Sequence, residues 1–181
     1  MRRVVTGRTG NGKSVFVSDE QIEPIKLSLM PGLEFARVWG GDDTTSLPAD
    51  GTPPAAPAFF PPERGYRFVF VTIPPEGSGE LPEDLDLDGA FAEVNEKLPG
   101  MLEHNELENP GMHTTDTVDL DLVLSGEMDL ELDDGAEVHL RPGDCVVQNG
   151  TRHAWRNRTD QPCTLAITLL GARRHPRLAA P

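Results

Sequence analysis

The sequence is poor in basic residues. It has 16 lysines and arginines against 30 aspartates and glutamates among 181 residues, a formal net charge of −14 at pH 7. Nucleic acids and anionic membrane surfaces are bound through lysine and arginine patches, so this balance argues against nucleic-acid and membrane partners. The one basic cluster, Arg173–Arg177, is expected to be a loose tail.

Cysteines and long apolar runs are also scarce. The two cysteines, Cys145 and Cys163, form neither a disulfide framework nor a zinc quartet, and we expect both to be buried thiols in a reducing compartment. The longest apolar runs, such as 67–74, are far too short to cross a bilayer. The first residues lack the apolar stretch of a signal peptide. We therefore expect a soluble, cytoplasmic protein.

The segment Gly7–Ser14 matches the phosphate-binding pattern G-x4-G-K-S/T. A phosphate-binding loop needs a following helix whose backbone amides point at the phosphates. Here a β-prone run, Ser14–Val17, follows the glycines, and another, Arg3–Thr6, precedes them. We predict a β-hairpin with its turn in this segment and no nucleotide-binding function.

Short strands separated by turn residues dominate the rest of the chain. We predict extended segments at Leu33–Trp39 and Tyr66–Ile73, separated by a proline-rich loop at 40–65 that could form a lid or rim. The only helix is predicted at Leu87–Leu102, where apolar residues recur at three- and four-residue steps. Six further strands are predicted, each ending at a turn signal: Val118–Leu124, Met128–Leu132, Ala136–Leu140, Cys145–Gln148, His153–Asn157 and Cys163–Leu170. This pattern predicts an all-β barrel or sandwich with one helix.

Two histidines and a carboxylate lie where strands could bring them together. His113 precedes a turn-like segment at 114–117, and Asp119 opens the next strand, so a hairpin would place the imidazole beside the carboxylate. His153 begins a separate strand. Two neutral imidazoles and one carboxylate can hold a divalent metal on one face and leave other positions open for substrate or oxygen.

The segment 111–171 resembles the cupin superfamily. The first motif of this family contains H-x-H, a glutamate and a later glycine, and the second motif ends in G-x2-H-x3-N. In this sequence Gly126 lies seven residues after Asp119, which is the spacing between the glutamate and the glycine of the first motif. Four residues correspond to the glycine, glycine, histidine and asparagine positions of the second motif: Gly143, Gly150, His153 and Asn157. The resemblance implies a cupin-type jelly-roll β-barrel, here with an N-terminal strand extension and one helix.

By this resemblance, His113, Asp119 and His153 would be the metal ligands. Thr115 stands where the family has its second histidine, Asp119 where it has glutamate, and Gln148 where it has proline. The two-histidine, one-carboxylate set favours Fe(II), with Mn, Ni or Zn as alternatives. Asp119 is also the predicted catalytic residue that moves protons. The predicted substrate contacts are Thr115, Gln148 and Trp155.

The sequence therefore predicts a metal-dependent cupin enzyme acting on a small organic molecule. Its sharpest form is an Fe(II)-type oxygenase of a small acid, ketone or phenolic compound. A non-oxidative cupin, such as a decarboxylase or isomerase, and a metal-free binding cupin without turnover stay open as alternatives. A metal-free epimerase-like barrel ranks last, because it needs a tyrosine acid and the only tyrosine, Tyr66, lies outside the motifs.

We expect one structural domain, in which residues 1–105 pack on a barrel at 106–171 and 172–181 form a tail. In the strand 118–124, alternation places Asp119 on one face and the leucines on the other. If Asp119 points inward, the leucines need a cover, from the N-terminal third or from a partner chain. Cupins commonly pair through such faces, so a homodimer is the expected assembly.

Overall fold

The computed structural model describes residues 1–79 and 81–175. These residues form one α-helix, α1 (Leu87–Lys97), with single 3₁₀ turns at Leu102–His104 and Asp133–Gly135. They also form eleven strands: β1 (Arg2–Arg8), β2 (Ser14–Gln21), β3 (Ile25–Lys26), β4 (Glu34–Gly41), β5 (Tyr66–Ile73), β6 (Thr117–Ser125), β7 (Met128–Glu131), β8 (Glu137–Leu140), β9 (Cys145–Gln148), β10 (Ala154–Arg156) and β11 (Cys163–Gly171).

The strands form three antiparallel sheets. The largest has the order β3-β4-β5-β11-β6-β9, a second has the order β10-β7-β8, and β1 pairs with β2 in a separate hairpin. Val123 and Leu165 of the large sheet share one buried core cluster with Met128 and Leu130 of the second sheet and Val94 of α1. The predicted all-β architecture with one helix is therefore confirmed.

The helix α1 ends before its predicted boundary. It is capped at its N-terminus by Asp86, whose carboxylate accepts a hydrogen bond from the Gly89 backbone N–H at 3.1 Å, and it ends at Lys97. Proline at position 99 cannot continue the helical hydrogen bonds, so the predicted last turn separates as a 3₁₀ turn. In the described part of the chain, no helix is long and apolar enough to cross a membrane.

The hairpin predicted at the phosphate-loop pattern is also confirmed. β1 and β2 pair along their length, and the Gly12 N–H bonds to the Thr9 carbonyl in the turn between them. The serine of the pattern, Ser14, therefore begins a strand, and no helix N-terminus follows that could bind a phosphate.

The proline-rich loop is anchored by an arginine in β5. Arg67 is 1% exposed and donates hydrogen bonds to the carbonyls of Gly41 at 2.9 Å and Ala58 at 3.0 Å. It also pairs with the carboxylate of Asp42. Buried arginine donors satisfy loop carbonyls that would otherwise lack partners, so they hold both ends of this loop against β4 and β5.

The side chains of β6 alternate strictly between interior and surface. Asp119 and Asp121 are buried, whereas Leu120, Leu122 and Leu124 are 46%, 37% and 43% exposed. The N-terminal strands β3 to β5 extend the same sheet beyond β11 and do not lie over β6. The N-terminal third therefore does not cover the exposed leucines of β6, which leaves a partner chain as the other expected cover.

The two cysteines have different environments. Cys163 is fully buried in the core, but Cys145 is exposed, so the expectation that both are buried is wrong for Cys145. Cys145 begins β9, the edge strand of the large sheet, and shares its outward face with Val147, which is also exposed.

The turn after β6 requires glycine. Gly126 has a φ of +72°, in the left-handed region. A Cβ atom at this position would lie 2.3 Å from the carbonyl oxygen of Pro162, just before β11. The turn from β6 to β7 is therefore packed directly against the backbone that leads into β11.

Candidate functional site

A cavity of about 550 Å³ lies inside the barrel. Most of its wall is apolar and comes from the N-terminal part of the chain, including β4, β5 and the end of the proline-rich loop. Representative apolar lining residues are Met30, Leu33, Phe35, Phe59, Phe60 and Val71. Only Phe59 and Phe60 of the predicted lid reach the cavity. A cavity of this size and character suits a small organic molecule.

The polar part of the wall comes mainly from β6 and from the chain around the two predicted histidines. Asp119 and Asp121 project from β6 into the cavity, and His113 and His153 line it as well. The cavity therefore brings the three predicted ligand residues to one wall, together with a second aspartate.

The two histidines are held together by their backbones. The His113 N–H donates to the His153 carbonyl at 2.9 Å and the His153 N–H to the His113 carbonyl at 3.0 Å, and the ring centroids are 4.2 Å apart. The Nδ1 atom of His113 lies 3.0 Å from the Gly111 carbonyl oxygen, and that of His153 lies 2.9 Å from the Thr151 carbonyl oxygen. Because a carbonyl oxygen only accepts, Nδ1 carries the hydrogen in both rings, and a neutral ring then leaves Nε2 as an acceptor.

The two aspartates are buried without a neutralising cation. Asp119 is 5% exposed and Asp121 is 4% exposed. Oδ1 of Asp119 and Oδ2 of Asp121 are fully buried and have no hydrogen-bond partner among the described residues. Unpaired buried polar atoms are rare and costly, which makes this pair of carboxyl groups the most conspicuous chemical feature of the cavity.

Burial reverses the usual order of basicity at this site. It raises the pKa of Asp119 to about 6, and burial together with the charge of Asp119 raises the pKa of Asp121 to about 7. Burial, followed by the nearby His113 ring, lowers the pKa of His153 to about 4, and burial also lowers the pKa of His113. Near pH 6 a proton is therefore held by a carboxyl group, whereas the His153 imidazole is neutral.

The predicted metal ligands line one cavity but do not converge on a point. Within residues 1–79 and 81–175, no group of three or more His, Cys, Asp or Glu side chains is placed to hold a metal ion. His113 and His153 offer neutral imidazoles, which suit a metal, but Asp119 does not complete the set in this arrangement. The site as it stands does not fit a bound metal, and the ligand roles of these residues stay predictions.

The predicted substrate contacts divide into two groups. Trp155 lines the cavity, and its ring lies 5.8 Å from that of His153. Thr115 is buried but does not line the cavity, and its hydroxyl hydrogen-bonds that of Thr117 at 2.8 Å. Gln148 lies opposite Asp119 in the β6–β9 pairing and is also outside the wall. Of the three, the structure brings only Trp155 to the cavity.

Four polar lining residues were not predicted from the sequence: His104, Asn105, Glu106 and Asp121. Asp121 shares the inward face of β6 with Asp119, and strand alternation alone could have identified it. His104 lines the cavity next to Phe60, at a ring distance of 4.6 Å, and its Nδ1 lies 3.0 Å from the Thr114 carbonyl oxygen. No motif marks His104, since only the fold of the segment after α1 brings it to the cavity.

Replacing Asp121 with asparagine should stabilise the protein relative to wild type, and this gain in the free energy of unfolding should grow as the pH rises. The pKa of Asp121 is raised from 3.8 to about 7, so between these values the folded chain holds more protons than the unfolded chain. This group therefore lowers the free energy of unfolding as the pH rises through that window. We expect Asp121→Asn to gain nothing near pH 4 and on the order of 3 kcal/mol at pH 8.

Urea unfolding of both proteins from pH 4 to pH 8 measures the difference between their free energies of unfolding. The titration of other groups, such as His153, contributes to both proteins and largely cancels in this difference. Asp160→Asn, at an exposed carboxylate outside the cavity, is the matched control and should show little pH-dependent change. A constant difference between Asp121→Asn and wild type at every pH would contradict the buried, proton-binding state of Asp121.

Comparison with known proteins places part of the chain in a family. Residues 102–169 match the Cupin_2 family, described as a cupin domain. Phomopsin biosynthesis cluster protein C' of Diaporthe leptostromiformis is 52% identical over 48 residues, which are 26% of this chain and 25% of that protein. The cupin-domain-containing oxidoreductase fogC of Aspergillus ruber is 36% identical over 72 residues, 40% of this chain and 32% of that protein. The matches thus span a third or less of these relatives.

Among solved structures, a Cupin 2 conserved barrel domain protein from Salinispora arenicola aligns with a TM-score of 0.41 and 15% identity, covering 84% of this chain and 90% of that one. The family match covers the predicted motif residues from His113 to Asn157. The chain therefore contains a segment, residues 102–169, that matches the cupin domain family.

Proposed function

We propose that this cupin is an enzyme that transfers protons on a small, largely apolar organic molecule, as in an isomerisation or elimination. The observation that carries the proposal is the pair of buried carboxyl groups of Asp119 and Asp121, each with one unpartnered oxygen, in the wall of an apolar cavity. Carboxyl groups that are kept from water and from counter-ions hold protons at neutral pH and exchange them with a bound molecule.

The surroundings of the two carboxyl groups suit this role. One carboxyl group can donate a proton while its neighbour accepts one, because the two lie at alternate positions on the same face of β6. The neutral imidazoles of His113 and His153 can accept hydrogen bonds from the same substrate through Nε2. Gln148, opposite Asp119, has an unpartnered Nε2 and is a candidate positioning residue for that carboxyl group.

Proton transfer can be tested before the natural substrate is known. Phenyl-substituted ketones and aminoketones have weakly acidic C–H bonds, and proton NMR in D₂O follows their exchange. We expect wild-type protein to accelerate exchange in at least one of them, and Asp119→Asn or Asp121→Asn to reduce that rate about 100-fold. Asp160→Asn should keep the wild-type rate. Equal rates in wild type and both cavity variants would refute the proposal.

A metal-dependent oxygenase is the second candidate. It is favoured by the name of the Aspergillus ruber relative, a cupin-domain-containing oxidoreductase, and by the Nε2 atoms of the two histidines, which stay available as acceptors. His113, Asp119 and His153 would then hold the predicted Fe(II), which would bind and polarise substrate oxygen atoms. This candidate requires Asp119 to move from the position that the structure shows.

Metal content separates the two candidates. Untagged protein, purified and then reconstituted with Fe(II) under anaerobic conditions, is analysed by mass spectrometry for wild type and His153→Ala. If proton transfer without a metal is the function, both should hold far less than one ion per chain. Near-equimolar iron, manganese, nickel or zinc in wild type and its loss in His153→Ala would favour the oxygenase.

We also propose that two copies pair through the outer face of β6 and β9. Leu120, Leu122, Leu124 and Val147 lie side by side on this face and are all exposed, with Leu120 directly opposite Val147 in the strand pairing. These residues are not part of the buried core cluster, and neither the N-terminal strands nor α1 covers them. A contiguous apolar surface of this kind is typical of a protein interface.

Leu122→Glu tests this pairing, because a charge on both copies at the centre of the face would oppose contact. We expect light scattering to give a dimer for wild type and a monomer for Leu122→Glu. Leu47→Glu, at an exposed leucine of the proline-rich loop, is the control and should stay dimeric. A wild-type protein that is monomeric at high micromolar concentration would contradict the pairing.

A further inference from the structure

Three histidines and two aspartates supply most of the hydrogen-bond acceptors in the cavity wall. His104, His113 and His153 each place Nδ1 against a backbone carbonyl, so in their neutral forms all three present Nε2 as an acceptor. The ionised carboxylates of Asp119 and Asp121 only accept as well. A wall with these five acceptor groups is complemented by a ligand that carries hydrogen-bond donors.

No cation of the described chain balances these carboxylates. Among residues 1–79 and 81–175, no lysine or arginine lines the cavity. The third acidic lining residue, Glu106, is already paired, since Arg152 donates to its two oxygens at 2.6 Å and 2.8 Å. When they are ionised, Asp119 and Asp121 are therefore the lining carboxylates that no cation of the described residues neutralises.

The two aspartates also have free capacity for hydrogen bonds. Each is more than nine-tenths buried, and each has one oxygen with no partner. A protonated amine supplies up to three donors and a positive charge, which these oxygens can share. A carboxylate ligand would instead meet two acidic groups and no cation, and burial would make that repulsion strong.

The remainder of the wall specifies the body of the ligand. Phe35, Phe59, Phe60 and Trp155 offer aromatic surface near the polar groups, and the aliphatic side chains of β4 and β5 complete the enclosure. Such a wall fits an aromatic or alkyl body and removes it from water.

From these contacts we infer that the cavity binds an organic amine, with its protonated nitrogen between Asp119 and Asp121 and its apolar body against the aromatic wall. This inference names the substrate class of the proposed proton-transfer enzyme and rests on that proposal for the use of the cavity. It replaces the small acid among the substrates predicted from the sequence, because the cavity offers an acid no counter-charge.

The test uses three probes that share a phenyl body and differ in their polar group: 2-phenylethylamine, 2-phenylethanol and 3-phenylpropionate. Isothermal titration calorimetry at pH 7.5 measures their affinities for the full chain and for Asp119→Asn, Asp121→Asn and Asp160→Asn. We expect the amine to bind at least about 10-fold more tightly than the alcohol, and the propionate to bind most weakly. Each cavity variant should reduce amine affinity about 10-fold and leave that of the alcohol nearly unchanged, while Asp160→Asn should match wild type.

The outcomes separate the two proposals. If the alcohol or the propionate binds as tightly as the amine, the amine inference is wrong, while binding in the cavity and the proton-transfer proposal survive. If none of the probes binds and none of the carbonyl compounds exchanges its protons, both proposals fail. Amine binding that is unchanged in both cavity variants would also overturn the inference, since circular dichroism can show that these near-isosteric variants are folded.

Discussion

The alternation of side chains along β6 is the constraint on which both the interior and the surface of this protein depend. A strand places successive residues on opposite faces, so the sequence Asp-Leu-Asp-Leu cannot bury its leucines and also present its aspartates to the cavity. The protein places the aspartates inside, where their burial is costly, and the leucines outside, where they remain exposed. The acidic part of the cavity wall and the proposed pairing surface are thus two consequences of one strand.

The two parts of the cavity come from different parts of the chain. The polar wall is built mainly by the cupin domain, whereas much of the apolar wall is built by β4, β5 and the residues just before them. The N-terminal part is therefore more than a cover for the barrel, because it sets the shape and hydrophobicity that a ligand meets.

Much of this organisation could be predicted from the sequence, and the exceptions have physical reasons. Turn residues and alternation predicted the strands, the hairpin at the phosphate-loop pattern and the inward Asp119 with its outward leucines. The placement of Thr115 could not be predicted, because motif spacing does not show that its hydroxyl bonds Thr117 and stays outside the cavity. His104 depends on how the chain after α1 turns back, and the metal set depends on side-chain directions that sequence spacing does not define.

Gly126 has a further consequence for how the large sheet assembles. A shift of β6 by one residue would bury its leucines and place both aspartates in water, which hydrophobicity and solvation alone would favour. The tight contact between Gly126 and the Pro162 carbonyl fixes the end of β6 relative to the start of β11 and so opposes that shift. This glycine therefore opposes a misregistered sheet in which β6 would bury its leucines. The position of the two aspartates in the cavity thus depends on a steric contact at the residue that directly follows β6.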